Sequence, residues 1–123
     1  MSKMILVVED QEDNRQILRD LLGNAGYAMQ EAENGQDALT AVAKQRPDLI
    51  LMDIQLPILD GYETTRRLKA NPDTKGIPII VVTSYALSGD ESKARASGCD
   101  AYVTKPYSPR ALLAKIKEFL PQP

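Results

Sequence analysis

The chain has 123 residues, 43% of them hydrophobic, which suits one domain with a real core. A formal net charge of −2 and the lack of any basic run remove the electrostatic case for nucleic acid. No apolar stretch approaches the roughly 20 residues of a membrane span, and no signal-peptide pattern opens the chain, so a cytoplasmic protein without membrane contact is expected.

The single Cys99 excludes an internal disulfide and is expected to be a small buried apolar residue. There is no His, so the usual general base and metal ligand are missing and carboxylates are left for either task.

Taken in order, Met4 to Val8 is a continuous apolar run that ends in Glu9-Asp10, with Glu12 and Asp13 close behind. Ile17, Leu18, Leu21, Leu22 and Ala25 then recur at helical spacing, and Gly26 supplies a stop. Residues 27–33 predict a more polar strand, hence an edge. Asn34 is placed to cap a second helix carrying Ala38, Leu39, Val42 and Ala43, which ends before Pro47.

The segment DLILMDIQLPILDG, residues 48–61, comes next. Leu49, Ile50, Leu51 and Met52 run straight into Asp53, and the loop after it contains Pro57 and Asp60-Gly61. A run apolar at every position predicts a strand buried on both faces of a parallel sheet. An acid at the C-terminal end of such a strand faces the crevice where open α/β sheets place their chemistry.

A weaker helix over 62–70 and a loop over 71–78 follow. Ile79, Ile80, Val81 and Val82 form a third buried strand ending in Thr83-Ser84. Ser88 and Glu91 fit a capping box for a fourth helix, which offers mainly Ala94 and Ala96 to a core. Such weak docking predicts the most mobile helix of the set. Residues 100–104 predict a short strand ending at Lys105-Pro106. Ser108-Pro109 then opens a last helix with Leu112, Leu113, Ile116, Phe119 and Leu120 on one face.

Five strands alternating with five helices argue a parallel sheet with helices on both faces. Periodicity does not give the strand order, but an order of 2-1-3-4-5 brings the polar strand ends together. Those ends are Glu9, Asp10, Asp53, Thr83 and Lys105. Singly, such residues are more often caps or solvated side chains. Their convergence on one sheet edge is what argues for a site.

Two carboxylates about 5 Å apart at an effective dielectric near 20 repel by roughly 3 kcal/mol. Three acids in one crevice must therefore protonate, bind a cation, or both. Oxygen ligands without His or Cys select a hard ion, and Mg²⁺ suits two carboxylates, a carbonyl and waters. With an ammonium at Lys105 and a hydroxyl at Thr83, the surroundings of Asp53 suit phosphoryl oxygens. A carboxylate can itself accept a phosphoryl group, forming an aspartyl phosphate.

The motifs VVED, LILMDIQLPILDG, VVTS and AYVTKP, in this order at successive strand ends, resemble the receiver domains of two-component response regulators over essentially the whole chain. MDIQLP and GCDAY resemble especially the stand-alone DivK-type cell-cycle regulators. The resemblance implies a flavodoxin-like (βα)5 three-layer sandwich with a parallel sheet in the order 2-1-3-4-5. It implies that Asp53 takes a phosphoryl group from a phosphohistidine on a histidine kinase or histidine phosphotransfer protein. It further implies that Asp10 and Asp53 give carboxylate oxygens to Mg²⁺ and that Gln55 gives its main-chain carbonyl. Glu9, standing where many members have Asp, would hold the ion through water.

By the same resemblance Lys105 contacts the phosphoryl oxygens and Pro106 follows a cis bond. Thr83 is the switch hydroxyl, and Tyr102 changes rotamer with it, altering a protein-binding surface on the fourth helix, fifth strand and fifth helix. Ser84 should leave the acceptor open to a phosphodonor. Gln55 and Tyr85 would flank the hydrolytic water, with bulky Tyr85 slowing hydrolysis.

The expectation is a single receiver over residues 1–123 without an output domain, a monomer or weak dimer. It would be a signalling phosphoacceptor that assists its own phosphorylation and dephosphorylation, not an enzyme in its own right, acting on a downstream protein target. A receiver cut from a larger hybrid kinase is the alternative. A flavodoxin needs Gly, Ser and Thr with free N–H groups after the first strand, where this chain reads EDQED. A phosphohydrolase of the haloacid-dehalogenase type carries a second acid two residues after its nucleophile, where this chain has Gln55. A degenerate receiver that only docks would lack site positions that are filled here.

Overall fold

The computed structural model describes residues 3–83 and 88–121, without the side chains of residues 88–91. Ser84, Tyr85 and the expected Ser88–Glu91 capping box therefore lie outside the described residues. The elements run β1 Met4–Val8, α1 Glu12–Asn24, β2 Ala28–Ala32, α2 Gly35–Lys44 and β3 Leu49–Asp53. They continue with α3 Gly61–Ala70, β4 Ile79–Thr83, α4 Ser88–Ala96, β5 Ala101–Thr104 and α5 Pro109–Phe119.

The strands form one parallel sheet in the order β2-β1-β3-β4-β5. Side chains alternate across it, which splits the core in two. Leu6, Val8, Ile50, Met52, Ile79 and Val81 pack with Ala38 and Val42 of α2, Leu68 of α3 and Ala94 of α4. Ile5, Val7, Leu49, Leu51 and Ile80 pack on the other face with Leu18 and Leu22 of α1 and Leu112 and Ile116 of α5. The continuous apolar runs of β1, β3 and β4 are thus buried on both faces, whereas β2 is the more polar edge.

Helix starts are set by side-chain caps. Asn34 Oδ1 accepts from the Asp37 N–H at 2.7 Å, Asp60 Oδ1 from the Glu63 N–H at 2.9 Å, and Ser108 Oγ from the Ala111 N–H at 2.9 Å. Each such cap is worth about 1 kcal/mol. Gly26, at φ 92°, makes the turn after α1. The Tyr27 hydroxyl then donates to the Leu120 carbonyl at 2.8 Å, tying this turn to the end of α5.

Several core expectations need correction. Ile17 is 56% exposed, because the inward stripe of α1 runs through Arg15, Leu18 and Leu22 and leaves Ile17 beside it. Ala43 and Ala96 are exposed, one residue past the buried Val42 and two past the buried Ala94. Cys99 is only half-buried, its thiol donating to the Ala94 carbonyl at 3.1 Å. No helix among the described residues is long and apolar enough to cross a membrane.

Candidate functional site

The parallel register carries the chemistry to one edge. Val8 pairs with Met52, Asp53 with Val82, and Thr83 with Thr104, so the C-terminal ends of β1, β3, β4 and β5 lie side by side. By alternation, Asp53 continues the face of Leu49 and Leu51, and Glu9 that of Ile5 and Val7. Thr83 and Tyr102 continue the opposite face, that of Val81. The acids and the switch candidates therefore approach the same edge from two sides of the sheet.

Lys105 stands between two acids. Its Nζ lies 3.3 Å from Asp53 Oδ2 and 3.3 Å from Glu9 Oε1. Burial by itself disfavours the ammonium, but attraction to Asp53 and Glu9 outweighs it and the Lys105 pKa moves up. Burial likewise raises the phenol pKa of Tyr107, which lines the same small cavity as Glu9, Asp53 and Lys105.

Glu9 is buried, and its carboxylate is well supplied with donors. The Gln11 N–H reaches Oε2 at 3.0 Å, and Asn14 Nδ2 reaches Oε1 at 3.3 Å. Asp53, also buried, accepts from the Gln55 N–H at Oδ1, 3.3 Å away. Gln55 itself is exposed, and lines an open cleft with Glu9, Asp10, Asn14, Asp53 and Lys105.

The chain holds Asp53 tightly from behind. Gly61 donates its N–H to the Ile54 carbonyl at 3.1 Å and packs so close that a Cβ would overlap the Asp53 carbonyl oxygen. Only glycine fits there. The Lys105–Pro106 peptide bond is cis.

Glu9, Asp10 and Asp53 each bring one carboxylate oxygen to within 4.8 Å of the others. An all-oxygen donor set in a chain without His fits a hard divalent ion such as Mg²⁺ and does not favour softer metals. The exposed side of the cleft, toward Asp10 and Gln55, leaves room for waters that such an ion retains.

A receiver-domain family model, described as the response regulator receiver domain, matches residues 5–117. The chain belongs to the response regulator receiver domain family. Polar-differentiation response regulator DivK from Brucella anthropi is 44% identical over 120 residues, 98% of each chain. The receiver domain of sensor histidine kinase PA1611 from Pseudomonas aeruginosa, solved with a magnesium ion coordinated in its active site cleft, is 33% identical. The match covers 99% of this chain and all of that one, with a TM-score of 0.91. The chemotaxis response regulator CheY4 of Vibrio cholerae is 28% identical over 98% of this chain and all of that one, with a TM-score of 0.91.

Of the expected receiver site residues, Glu9, Asp10, Asp53 and Lys105 come together within reach of one another. Gln55 adjoins them, and Thr83 is buried at the end of the neighbouring strand. Tyr102 is half-buried on β5, with the Arg95 guanidinium carbon 5.9 Å from its ring centroid. Ser84 and Tyr85 lie outside the described residues.

One residue of this receiver escaped the sequence reading. Arg15 is 6% exposed, and its Nη1 donates to the Glu9 carbonyl at 2.7 Å. Extending the apolar stripe of α1 back from Leu22 and Leu18 by three residues would have found it.

Proposed function

We propose that this receiver accepts a phosphoryl group on Asp53 from a phosphohistidine of a histidine kinase or phosphotransfer protein, and that the modification switches a protein-binding face. The observation that carries the reading is the Lys105 ammonium held 3.3 Å from an Asp53 carboxylate oxygen at the open end of the sheet. A carboxylate oxygen of Asp53 attacks phosphorus as the phosphorus–nitrogen bond to the donor imidazole breaks. The departing imidazole keeps the bond's electron pair and takes up a proton.

Lys105 follows the transferred oxygens. Its contacts to Asp53 and Glu9 are both at the long end of the hydrogen-bond range, so reorientation is inexpensive. Glu9, Asp10, Asp53 and the Gln55 carbonyl would hold Mg²⁺, Glu9 through water. When bound, the ion supplies positive charge to the phosphoryl oxygens.

Thr83 donates its hydroxyl to a phosphoryl oxygen, and Tyr102, two register positions behind it on the same face, turns inward with it. New charge thereby biases a pre-existing equilibrium of α4, β5 and α5. Among the described side chains of α4 only Ala94 is buried, so few of them anchor this helix to the core. Gln55 and Tyr85 would set the lifetime by limiting water, and Ser84 would leave the donor's approach open. The chain would thus assist both its phosphorylation and its dephosphorylation, as a signalling protein without turnover of its own.

Incubation with acetyl phosphate and Mg²⁺, read by intact-mass spectrometry, tests the reading. One phosphoryl group should appear on the wild type and none on Asp53→Asn. Equal uptake by both proteins would overturn it.

A further inference from the structure

We infer that Arg15 is a positioning residue for the metal-holding acids, acting through the main chain of Glu9. The inference rests on the reading that Glu9, Asp10 and Asp53 hold a divalent ion.

Arg15 is a buried guanidinium on the core-facing stripe of α1, a place where an apolar side chain would be ordinary. Each edge of its fork is occupied. Nη1 donates to the Glu9 carbonyl at 2.7 Å, Nη2 meets Glu12 Oε2 at 2.6 Å and Glu33 Oε1 at 3.2 Å, and Nε lies 3.1 Å from Glu31 Oε1. The bond to the Glu9 carbonyl falls on the peptide joining Glu9 to Asp10, the two acids that leave β1 together. That peptide has left the β1 strand, while the Glu9 N–H is still held by the Ala32 carbonyl at 3.0 Å. Arg15 supplies the complementary hold on the carbonyl side.

The surrounding charge explains how a cation can sit so close to a cation site. An uncompensated guanidinium would repel a divalent ion. Glu12, Glu31 and Glu33 neutralise it, so what reaches the acids is a rigid donor rather than a positive field. Groups that orient metal ligands typically change metal affinity about 10- to 100-fold when removed.

Arg19 provides the control. It shares Glu12 and Glu31 with Arg15, at 2.7 Å and 2.6 Å, and its remaining hydrogen bond goes to the Gln16 side chain rather than to the Glu9 carbonyl. Loss of the shared ion pairs alone would act through either arginine, whereas only Arg15 holds the Glu9 carbonyl.

The test is Mg²⁺ affinity by calorimetry on the unphosphorylated protein, below the melting temperature of every variant. Arg15→Met should weaken Mg²⁺ about tenfold and Arg19→Met less than twofold. Wild-type affinity in Arg15→Met, or an equal loss in Arg19→Met, overturns the proposal. Should Arg15→Met fail to fold, Arg15→Lys decides instead: it lacks the fork, so at least a threefold loss is expected and wild-type affinity overturns the proposal. A wild-type protein that binds no Mg²⁺ overturns both this inference and the metal reading beneath it, whereas normal wild-type binding with an unaffected Arg15 variant overturns this inference alone.

Discussion

Lys105 and Asp53 stand 52 positions apart in the chain and meet as an ion pair at 3.3 Å, with Glu9 at the same distance on the ammonium's other side. The pair predicts a pH dependence with a definite sign. The Lys105 pKa is raised in the fold, so its contribution to stability is present below the ordinary value of 10.5 and is lost as pH rises through the folded value. Tyr27 and Tyr107, raised by burial, weaken the fold in the same alkaline direction. Lys105 is therefore isolated by difference. Urea unfolding from neutral pH to above 10.5 should show the wild-type advantage over Lys105→Met shrinking with pH. A constant gap would contradict the coupling.

Gly61→Ala tests how firmly the chain holds the acceptor. The added methyl would overlap the Asp53 carbonyl, and backbone must move to admit it. A loss of about 2 kcal/mol in urea unfolding is expected, as for overpacking elsewhere. Slower uptake from acetyl phosphate should accompany it, since the displaced residue is Asp53 itself.

Ile58 is a β-branched residue at φ 70° with 82% of its surface exposed, in the loop that follows Asp53. Left-handed backbone costs such a residue roughly 1–2 kcal/mol, and no burial offsets it here. Ile58→Asn should raise stability by about 1 kcal/mol. Thermal and urea unfolding both measure this, and a loss of stability would show that the side chain has a contact worth more than the strain.

Tyr27→Phe removes the hydroxyl that donates to the Leu120 carbonyl across 93 positions. A buried carbonyl is left without that donor, at a cost of about 1–2 kcal/mol. Faster hydrogen exchange at the end of α5 should locate the loss.

Much of this fold is legible because β1, β3 and β4 need nothing beyond continuous apolar runs, and each run ends in a polar residue at the same edge. Strand order is different: it came with the family resemblance, since a run of Ile and Val carries no mark of its neighbour. Contacts between distant segments were equally hidden. Lys69 Nζ donates to the carbonyls of Lys75 and Ile77 and to Asp100, pinning the loop before β4 to the start of β5, and no periodicity announces it. Arg15 was hidden for another reason. A charged residue on an apolar stripe reads as a break in the pattern, when here its burial is compensated by Glu12, Glu31 and Glu33. Ile17 erred the opposite way, being apolar by type but one step off the inward phase.

The most direct measurement is the position of the phosphoryl group. After treatment with acetyl phosphate and Mg²⁺, borohydride reduction converts an acyl phosphate to the corresponding alcohol, and peptide mass spectrometry locates it. Conversion of Asp53 alone, suppressed by a chelator, is the predicted result. Conversion at Glu9 or Asp10, or labelling that ignores the chelator, would contradict the role given to this cluster.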